Sequence, residues 1–263
     1  MLKSNVLKAA FLNFFRIIGG YFLWMNKYSK HPEKYEIQEK YDHLRKMIVH
    51  INKGLNAELK IIGLDNIPNE TSYFVSNHIG AADPIFVIEA LEKPITFVCK
   101  KELEHVPFVT KCIKTIEGEF IDRDNLKASL RTMMKVEADL KKGRKNWLIF
   151  PEGTRNKDDH RLLLEFHHGT FRSAVKAQVP IVPICIYGSQ RIVSSRYKLK
   201  KYPIYLEFGK PLYPKDYENM TTQDIADYFH NTIQTMLSYH ARRCDRDSLM
   251  NLLGDKYNDN VLL

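Results

Sequence analysis

The sequence is poor in cysteine and has no pair of cysteines spaced for a metal or for a disulfide framework. The four cysteines are widely separated, at Cys99, Cys112, Cys185 and Cys244. This spacing excludes zinc fingers and small disulfide-stapled scaffolds, and it is typical of a protein from a reducing compartment. A Gly-x-Ser-x-Gly turn is also lacking, so we expect no serine nucleophile of the hydrolase type.

Long hydrophobic runs are absent as well. Residues 5–25 are rich in Leu, Ile and Phe, but Lys8 and Arg16 interrupt them. A membrane-spanning helix needs about 20 mainly apolar residues, and no small-residue cleavage site follows this segment. The segment therefore predicts neither a membrane span nor a secretory signal.

At helical spacing, residues 5–25 divide into a polar and an apolar side. The polar side carries Asn5, Lys8, Asn13, Arg16 and Gly19, and the apolar side carries Leu7, Phe11, Phe14, Ile18, Phe22 and Met25. Leu12 and Leu23 also fall on the polar side, so the division is imperfect. An aromatic helix with flanking lysines is typical of a membrane interface; the alternative is a helix that packs on the domain core. Residues 33–54, opened by Pro32, predict a second helix, which gives a helical hairpin before the main domain.

The overall composition is that of a folded, basic protein. Hydrophobic residues make up 44% of the 263 residues and charged residues 27%, which excludes an intrinsically disordered chain. The formal net charge is +9. A basic surface suits nucleic acid, anionic lipid or an acidic protein partner.

The body of the chain alternates β-branched runs with helical patterns, which predicts an α/β fold. Strands are expected at 59–62, 72–76, 96–99, 118–121, 147–150, 181–187 and 204–208, and helices at 84–91, 126–142, 169–177 and 222–242. Because proline cannot donate to a sheet ladder, Pro180 and Pro183 predict that the strand over 181–187 lies at a sheet edge or starts irregularly.

The stretch over residues 77–83, NHIGAAD, carries the clearest chemistry. It follows a predicted strand, and Asp83-Pro84 opens a predicted helix. If the small residues form a turn, Asp83 can accept a hydrogen bond from one nitrogen of His78 and leave the other nitrogen free to take a proton. The alternatives are that Asp83 caps its helix and that His78 is structural. The backbone amides after His78 are candidate donors to an oxyanion.

Two arginines follow predicted strands, Arg123 in GEFIDR and Arg155 in FPEGTR. Arginines presented there, with glycines that permit close backbone approach, suit a phosphate. The alternative is a surface ion pair for each, with Asp122 and Glu152 as partners. The apolar VPIVP stretch over residues 179–183 lines either an apolar groove or the core.

Together these segments resemble the lysophosphatidic acid and glycerol-3-phosphate acyltransferases, the PlsC-like family. That family carries NHxxxxD, GxxFIDR, FPEGTR and VPIVP blocks in this order. They stand here at residues 77–83, 118–123, 150–155 and 179–183, and a KxEL element with a following proline stands at 100–107. The resemblance covers about residues 57–213.

The resemblance implies roles for the motif residues. It implies His78 as the general base and Asp83 as its partner; acceptor-phosphate binding falls to Arg123, Glu152, Gly153, Thr154 and Arg155, with Lys100 as a further phosphate or donor contact. It implies a mixed sheet flanked by helices, and residues 57–263 are expected to form the acyltransferase domain. The expectation that residues 1–56 form membrane-interface helices rests on their own periodicity and composition and not on the resemblance.

The resemblance further implies transfer of a fatty acyl group from acyl-CoA or acyl carrier protein to the free hydroxyl of 1-acylglycerol 3-phosphate, which gives phosphatidic acid for phospholipid biosynthesis. No metal, cofactor or nucleic acid is expected. The expected location is the cytoplasmic face of the cell membrane, peripheral or monotopic. The alternatives are a glycerol-3-phosphate 1-O-acyltransferase, a non-catalytic relative that binds anionic lipid, and a hydrolase that releases the acyl group to water.

Overall fold

The computed structural model describes residues 11–157, 162–193 and 199–244, which form one seven-stranded sheet covered by helices. The strands are β1 (Ala57–Ile62), β2 (Tyr73–Ser76), β3 (Ile95–Lys100), β4 (Glu119–Ile121), β5 (Asn146–Ile149), β6 (Ile181–Tyr187) and β7 (Tyr202–Phe208). All seven predicted strands are confirmed, with bounds within two residues of those expected.

The sheet is mixed, in the order β1-β7-β6-β2-β5-β3-β4. Neighbouring strands from β6 through to β4 are parallel, whereas β7 is antiparallel to β6 and parallel to β1. The C-terminal ends of β2 to β6 therefore meet at one edge of the sheet. In open α/β sheets, this edge is where ligands bind.

The helices follow the predicted alternation. They are α1 (Phe14–Gly20), α2 (Asn26–Lys30), α3 (Ile37–Gly54), α4 (Asp83–Ala90), α5 (Pro107–Thr115), α6 (Leu126–Lys142), α7 (Arg172–Ala177), α8 (Gln190–Val193), α9 (Pro214–Tyr217) and α10 (Thr222–Cys244). The short helices α5, α8 and α9 are not among the predicted helices. The predicted helix over 169–177 is split into a 3-10 turn (His168–Phe171) and α7, and Pro32 opens a 3-10 turn (Pro32–Lys34) ahead of α3.

The expectation that Pro180 and Pro183 mark a sheet edge is wrong, because β6 lies between β2 and β7 in the interior of the sheet. The carbonyl of Pro183 accepts the N–H of Gly209 at 2.9 Å, just beyond the end of β7. Pairing of β6 with β7 begins only at Ile184. The missing N–H of Pro183 therefore faces Gly209, before the regular β6–β7 ladder begins, and only an isolated bridge between Ile181 and Leu212 precedes that ladder. The strand starts irregularly on its β7 side, as the second alternative expected.

Two hydrophobic clusters fill the two faces of the sheet. One includes Phe74 and Leu148 with the buried side of α3, and the other includes Tyr73 and Trp147 with α10. The N-terminal hairpin thus shares its buried face with the sheet. It is also tied by charge, because the fully buried ammonium of Lys40 on α3 contacts Glu117 Oε1 at 2.5 Å.

The first helix turns its apolar side outward. Phe15 and Leu23 are 86% and 77% exposed, with Phe11, Leu12, Phe14, Ile18 and Phe22 also exposed, whereas Asn13 of the predicted polar side is buried. Met25 is buried rather than on the apolar side as expected, because a π-helical turn (Tyr21–Met25) joins α1 to α2 and shifts the helical phase.

Asn5, Leu7 and Lys8 of the predicted interface segment lie outside the described residues. Within the described residues, no helix combines the length and apolar character that crossing a membrane requires.

Candidate active site

His78 and Asp83 meet at the C-terminal end of β2. His78 Nδ1 lies 2.8 Å from Asp83 Oδ2. The imidazole side chain is 17% exposed, whereas the carboxylate is fully buried. Because an ionised carboxylate only accepts hydrogen bonds, a neutral imidazole in this position carries its proton on Nδ1 and keeps the lone pair on Nε2. The predicted juxtaposition is therefore present, with the imidazole oriented as a proton acceptor.

The carboxylate of Asp83 folds back over the loop before α4. Its Oδ2 also accepts the N–H groups of Ile79 at 2.8 Å and Gly80 at 2.9 Å, and its Oδ1 accepts the hydroxyl of Ser189. The helix cap is Ala82, without a side-chain cap bond. The carboxylate thus serves the histidine loop, and the alternative that it caps its own helix is wrong.

The two backbone amides after His78 are committed to this carboxylate. The expectation that they are the donors to an oxyanion is therefore wrong for this arrangement, because an N–H group engaged with a buried anion is not aimed at a reacting oxygen.

Residues 152–156 bracket the backbone of His78. Glu152 Oε1 accepts the N–H of His78 at 2.5 Å, and the carbonyl of His78 accepts the N–H of Asn156 at 2.7 Å. The second oxygen, Oε2, accepts the N–H of Leu164 at 2.9 Å. The FPEGTR block thus holds the NHxxxxD block in place.

Glu152 is therefore a support of the loop rather than an open ligand. It is 3% exposed, and both of its oxygens bond to backbone amides. Burial, with the nearby negative charge of Asp83 as a smaller cause, raises its pKa to about 7, although the two N–H donors oppose this rise. Direct contact of Glu152 with a substrate phosphate is not part of this arrangement.

The imidazole also rests on an aromatic ring. Phe150, at the end of β5, stacks on His78 with ring centroids 4.2 Å apart and planes inclined by 25°. This apolar face limits how the ring can turn. The imidazole of His78 is therefore restrained by its own loop, by the carboxylate of Asp83 and by the ring of Phe150, which is distant in sequence.

The predicted phosphate ligands lie along the same edge of the sheet. Arg155 precedes Asn156, whose N–H bonds to His78, and its side chain is exposed. Arg123 follows β4, three strands along the sheet from β2, or about 14 Å at normal strand spacing. Its side chain is also exposed. Arg155 is thus placed closer to His78 than Arg123 is.

The remaining predicted ligands have varied surroundings. Lys100 ends β3, and its exposed ammonium lies 2.6 Å from Glu102 Oε1. Gly153 adopts φ +67°, and a Cβ there would lie 3.0 Å from the His167 ring; this turn favours glycine. Thr154 is exposed. Within the described residues, no cluster of three or more His, Cys, Asp or Glu side chains could hold a metal ion.

Sequence reasoning missed two residues that shape the site. The side chain of Asn77 bonds to both the N–H and the carbonyl of Ile186, each at 2.8 Å, and ties the end of β2 to β6. Ser189 follows β6 and reaches Asp83 from 106 residues away. A search of residues just beyond each predicted parallel strand would have found Ser189, because these strand ends share one edge.

Comparison with known proteins assigns a family to the region that carries these residues. The acyltransferase family model matches residues 58–187, which contain His78, Asp83, Arg123 and Arg155. The chain belongs to the PlsC-like acyltransferase family. The match ends two residues before Ser189.

Individual relatives of this PlsC-like acyltransferase support the assignment. A probable 1-acyl-sn-glycerol-3-phosphate acyltransferase of Mycoplasma pneumoniae is 29% identical over 226 residues, which cover 81% of this chain and 84% of that protein. The 1-acyl-sn-glycerol-3-phosphate acyltransferase of Saccharomyces cerevisiae is 27% identical over 66% of this chain and 57% of its own length.

The fold is that of a solved acyltransferase. The crystal structure of the 1-acyl-sn-glycerophosphate acyltransferase PlsC from Thermotoga maritima matches with a TM-score of 0.68 at 22% identity, over 89% of this chain and 95% of that chain. The predicted α/β fold with a mixed sheet flanked by helices is confirmed.

Proposed function

We propose that this PlsC-like acyltransferase transfers a fatty acyl group from a thioester to the free hydroxyl of 1-acylglycerol 3-phosphate, giving phosphatidic acid. The observation that carries this proposal is the His78–Asp83 pair, with Nδ1 bonded to a buried carboxylate at 2.8 Å and Nε2 left as the proton acceptor. The similarity to proteins named as 1-acyl-sn-glycerol-3-phosphate acyltransferases supports the choice of acceptor.

The reaction needs one proton acceptor and no covalent intermediate on the protein. His78 Nε2 takes the proton of the acceptor hydroxyl as its oxygen forms a bond to the thioester carbonyl carbon. Asp83 stabilises the resulting imidazolium. Collapse of the tetrahedral intermediate breaks the C–S bond, and the thiolate takes the proton from the imidazolium. The products are the ester and the free thiol, and His78 returns to its neutral form.

The exposed guanidinium of Arg155 is the proposed ligand of the acceptor phosphate. Its backbone neighbour Asn156 is bonded to the carbonyl of His78, so position 155 lies beside the loop that carries the base. A guanidinium offers a planar pair of donors that suits phosphate oxygens. Arg123 and Lys100, further along the same edge, extend the positive charge toward the phosphate or toward the donor.

The N-terminal helix is proposed as the membrane contact. Its exposed apolar residues, with Phe15 and Phe11 the most exposed, face away from the domain, and Lys27 and Lys30 follow in α2. An apolar helix face flanked by basic residues binds an anionic bilayer surface. A lipid acceptor reaches the site from such a surface, and the cytoplasmic leaflet is the proposed location.

An acceptor panel tests the reaction. Purified protein is given a radiolabelled acyl thioester with 1-acylglycerol 3-phosphate, glycerol 3-phosphate, the dephosphorylated acceptor or no acceptor. Phosphatidic acid from the first acceptor alone supports the proposal. Product from glycerol 3-phosphate instead makes the enzyme a glycerol-3-phosphate acyltransferase, free fatty acid without acceptor makes it a hydrolase, and no turnover of any thioester refutes catalysis and favours a lipid-binding relative.

The panel also resolves the donor. Acyl-CoA and acyl carrier protein present the same thioester, so the kcat/KM for each, measured with one acyl chain, decides between them. His78→Ala protein with an unchanged circular-dichroism spectrum serves as the matched blank, because it removes the proposed base alone.

A further inference from the structure

The carboxylate of Asp83 is held by two parts of the chain that are far apart in sequence. Its Oδ2 accepts His78 Nδ1 and two backbone amides of the same loop. Its Oδ1 accepts the hydroxyl of Ser189, which lies beyond β6. Both Asp83 and Ser189 are fully buried.

The chain turns sharply to bring Ser189 to this point. Gly188 adopts φ +94°, and a Cβ there would lie 2.5 Å from the carbonyl oxygen of Pro203, so glycine is required. The turn carries Ser189 from the end of β6 over the loop that follows β2. This placement depends on the parallel pairing of β2 with β6, which puts both strand ends at one edge.

We infer that Ser189 is a positioning residue for the reaction: its hydroxyl fixes the Asp83 carboxylate so that Oδ2 stays aimed at His78 Nδ1. This inference rests on the proposed role of His78 as the base. Ser189 does not contact the reacting atoms and acts through Asp83. Ser189 lies outside the family motifs and beyond the matched region, which ends at residue 187.

The physical reason is the broad rotation of a carboxylate about its terminal bond. A buried carboxylate needs donors on both oxygens, because an unsatisfied charged oxygen carries a large desolvation cost. Without the Ser189 hydroxyl, the Asp83 carboxylate gains by turning toward other donors, and the His78 bond lengthens. The imidazole then spends less time with Nδ1 protonated and Nε2 open.

The glycine at position 80 is a second, independent sign of this contact. A Cβ on Gly80 would lie 2.7 Å from Ser189 Oγ and 3.0 Å from Asp83 Oδ1. Real Cβ atoms almost never approach that closely. The absence of a side chain at position 80 is therefore what lets the Ser189 hydroxyl reach Asp83.

The first test is Ser189→Ala in the full-length enzyme. We expect kcat to fall about tenfold, as the loss of one hydrogen bond to a charged group implies, with the KM values for acceptor and donor unchanged within about twofold. Ser189→Thr keeps the hydroxyl and should recover most of kcat. The matched control is Ser173→Ala, which deletes a buried hydroxyl bonded to the carbonyl of Met133 at 2.9 Å and should leave kcat unchanged.

A spectroscopic readout separates positioning from general stability. In wild type, the Nδ1 proton of His78 should give a downfield NMR resonance, which disappears in His78→Ala. Ser189→Ala should shift or broaden this resonance, and Ser173→Ala should not. An unmoved resonance in Ser189→Ala overturns the inference.

A double-mutant cycle completes the test. In a His78→Ala background, Ser189→Ala should cost nothing further, because it acts through the histidine. If Ser189→Ala lowers kcat by the same factor in the wild-type and His78→Ala backgrounds, the positioning role is overturned. Near-normal turnover in His78→Ala itself overturns the proposed base as well. Gly80→Ala should lower kcat through the same contact, and its cost should shrink in a Ser189→Ala background.

Discussion

The buried carboxylate of Glu152 predicts that the free energy of unfolding depends on pH. Its carboxylate is buried and accepts the N–H groups of His78 at 2.5 Å and Leu164 at 2.9 Å. The perturbation is Glu152→Gln, which keeps the shape of the side chain. It replaces one accepting oxygen with an NH₂ donor and leaves one backbone N–H facing another donor. Such an unsatisfied buried group costs about 1–3 kcal/mol.

The pH dependence follows from the raised pKa of Glu152. Its ordinary value is 4.5 and burial raises the pKa to about 7, so the folded protein binds this proton more tightly than the unfolded chain does. Ionising the group opposes folding, and the free energy of unfolding of wild type falls as pH rises from about 4.5 to about 7. A pKa difference of roughly 2.5 corresponds to about 3 kcal/mol. The amide does not titrate, so the variant lacks this loss.

The assay is urea unfolding of wild type and Glu152→Gln at pH 5, 6, 7 and 8. The difference in free energy of unfolding between the two proteins should be largest at pH 5 and should become smaller toward pH 8. Groups that titrate in both proteins cancel in this difference. Glu137→Gln is the control. The hydrogen bond from Lys141 lowers the pKa of Glu137, so its gap to wild type should stay flat over this range. Parallel curves for Glu152→Gln and wild type would refute the reasoning.

Three further predictions concern the site and the membrane. His78→Ala should lower turnover by about two to four orders of magnitude without loss of fold, and Asp83→Asn should be similarly severe because it favours the wrong tautomer; near-normal steady-state turnover in either protein would contradict the assignment. Arg155→Lys should raise the KM for the phosphorylated acceptor about ten- to a hundredfold and the KM for the thioester little, with a smaller effect for Arg123→Lys, which lies further from His78. If both variants raise the donor KM alone, the arginines belong to the donor side. Phe15→Ser should weaken flotation with anionic vesicles, whereas Leu64→Ser, an exposed leucine of the catalytic domain, should not; equal binding by both would mean that the N-terminal helix is not the contact.

The elements of the sheet could be predicted because they are local. Each strand is a short run rich in β-branched, aromatic or other apolar residues, and each long helix, such as α6 (predicted over 126–142 and observed as Leu126–Lys142), repeats apolar residues at helical spacing. The short helix α5 escaped because nine residues carry little periodic signal. The prediction that Pro180 and Pro183 mark a sheet edge is wrong because the effect of a proline depends on which strand lies beside it. That strand is more than 20 residues away in sequence.

The candidate site likewise has a part that the sequence predicts and a part that only the structure shows. The residues of the NHxxxxD and FPEGTR blocks are consecutive, so the types and spacing that predict a base, an acid partner and a phosphate ligand can be read directly. The structure shows how Glu152 is used, because a bond to the His78 amide joins residues 74 apart. It also shows that the first helix turns its aromatic side away from the domain. Periodicity in the sequence separates two sides of this helix but does not indicate which side packs.

The sequence by itself determined the strands and the long helices, and it proposed a base, its carboxylate partner and phosphate ligands, because each of these motifs consists of residues within a few positions of one another. Only the tertiary structure decided that Ser189 holds Asp83, that Glu152 supports the His78 backbone, and that Phe150 stacks on the imidazole. These contacts arise where parallel strands end at a common edge, and strand order is set by packing of the whole core rather than by any local stretch of chain.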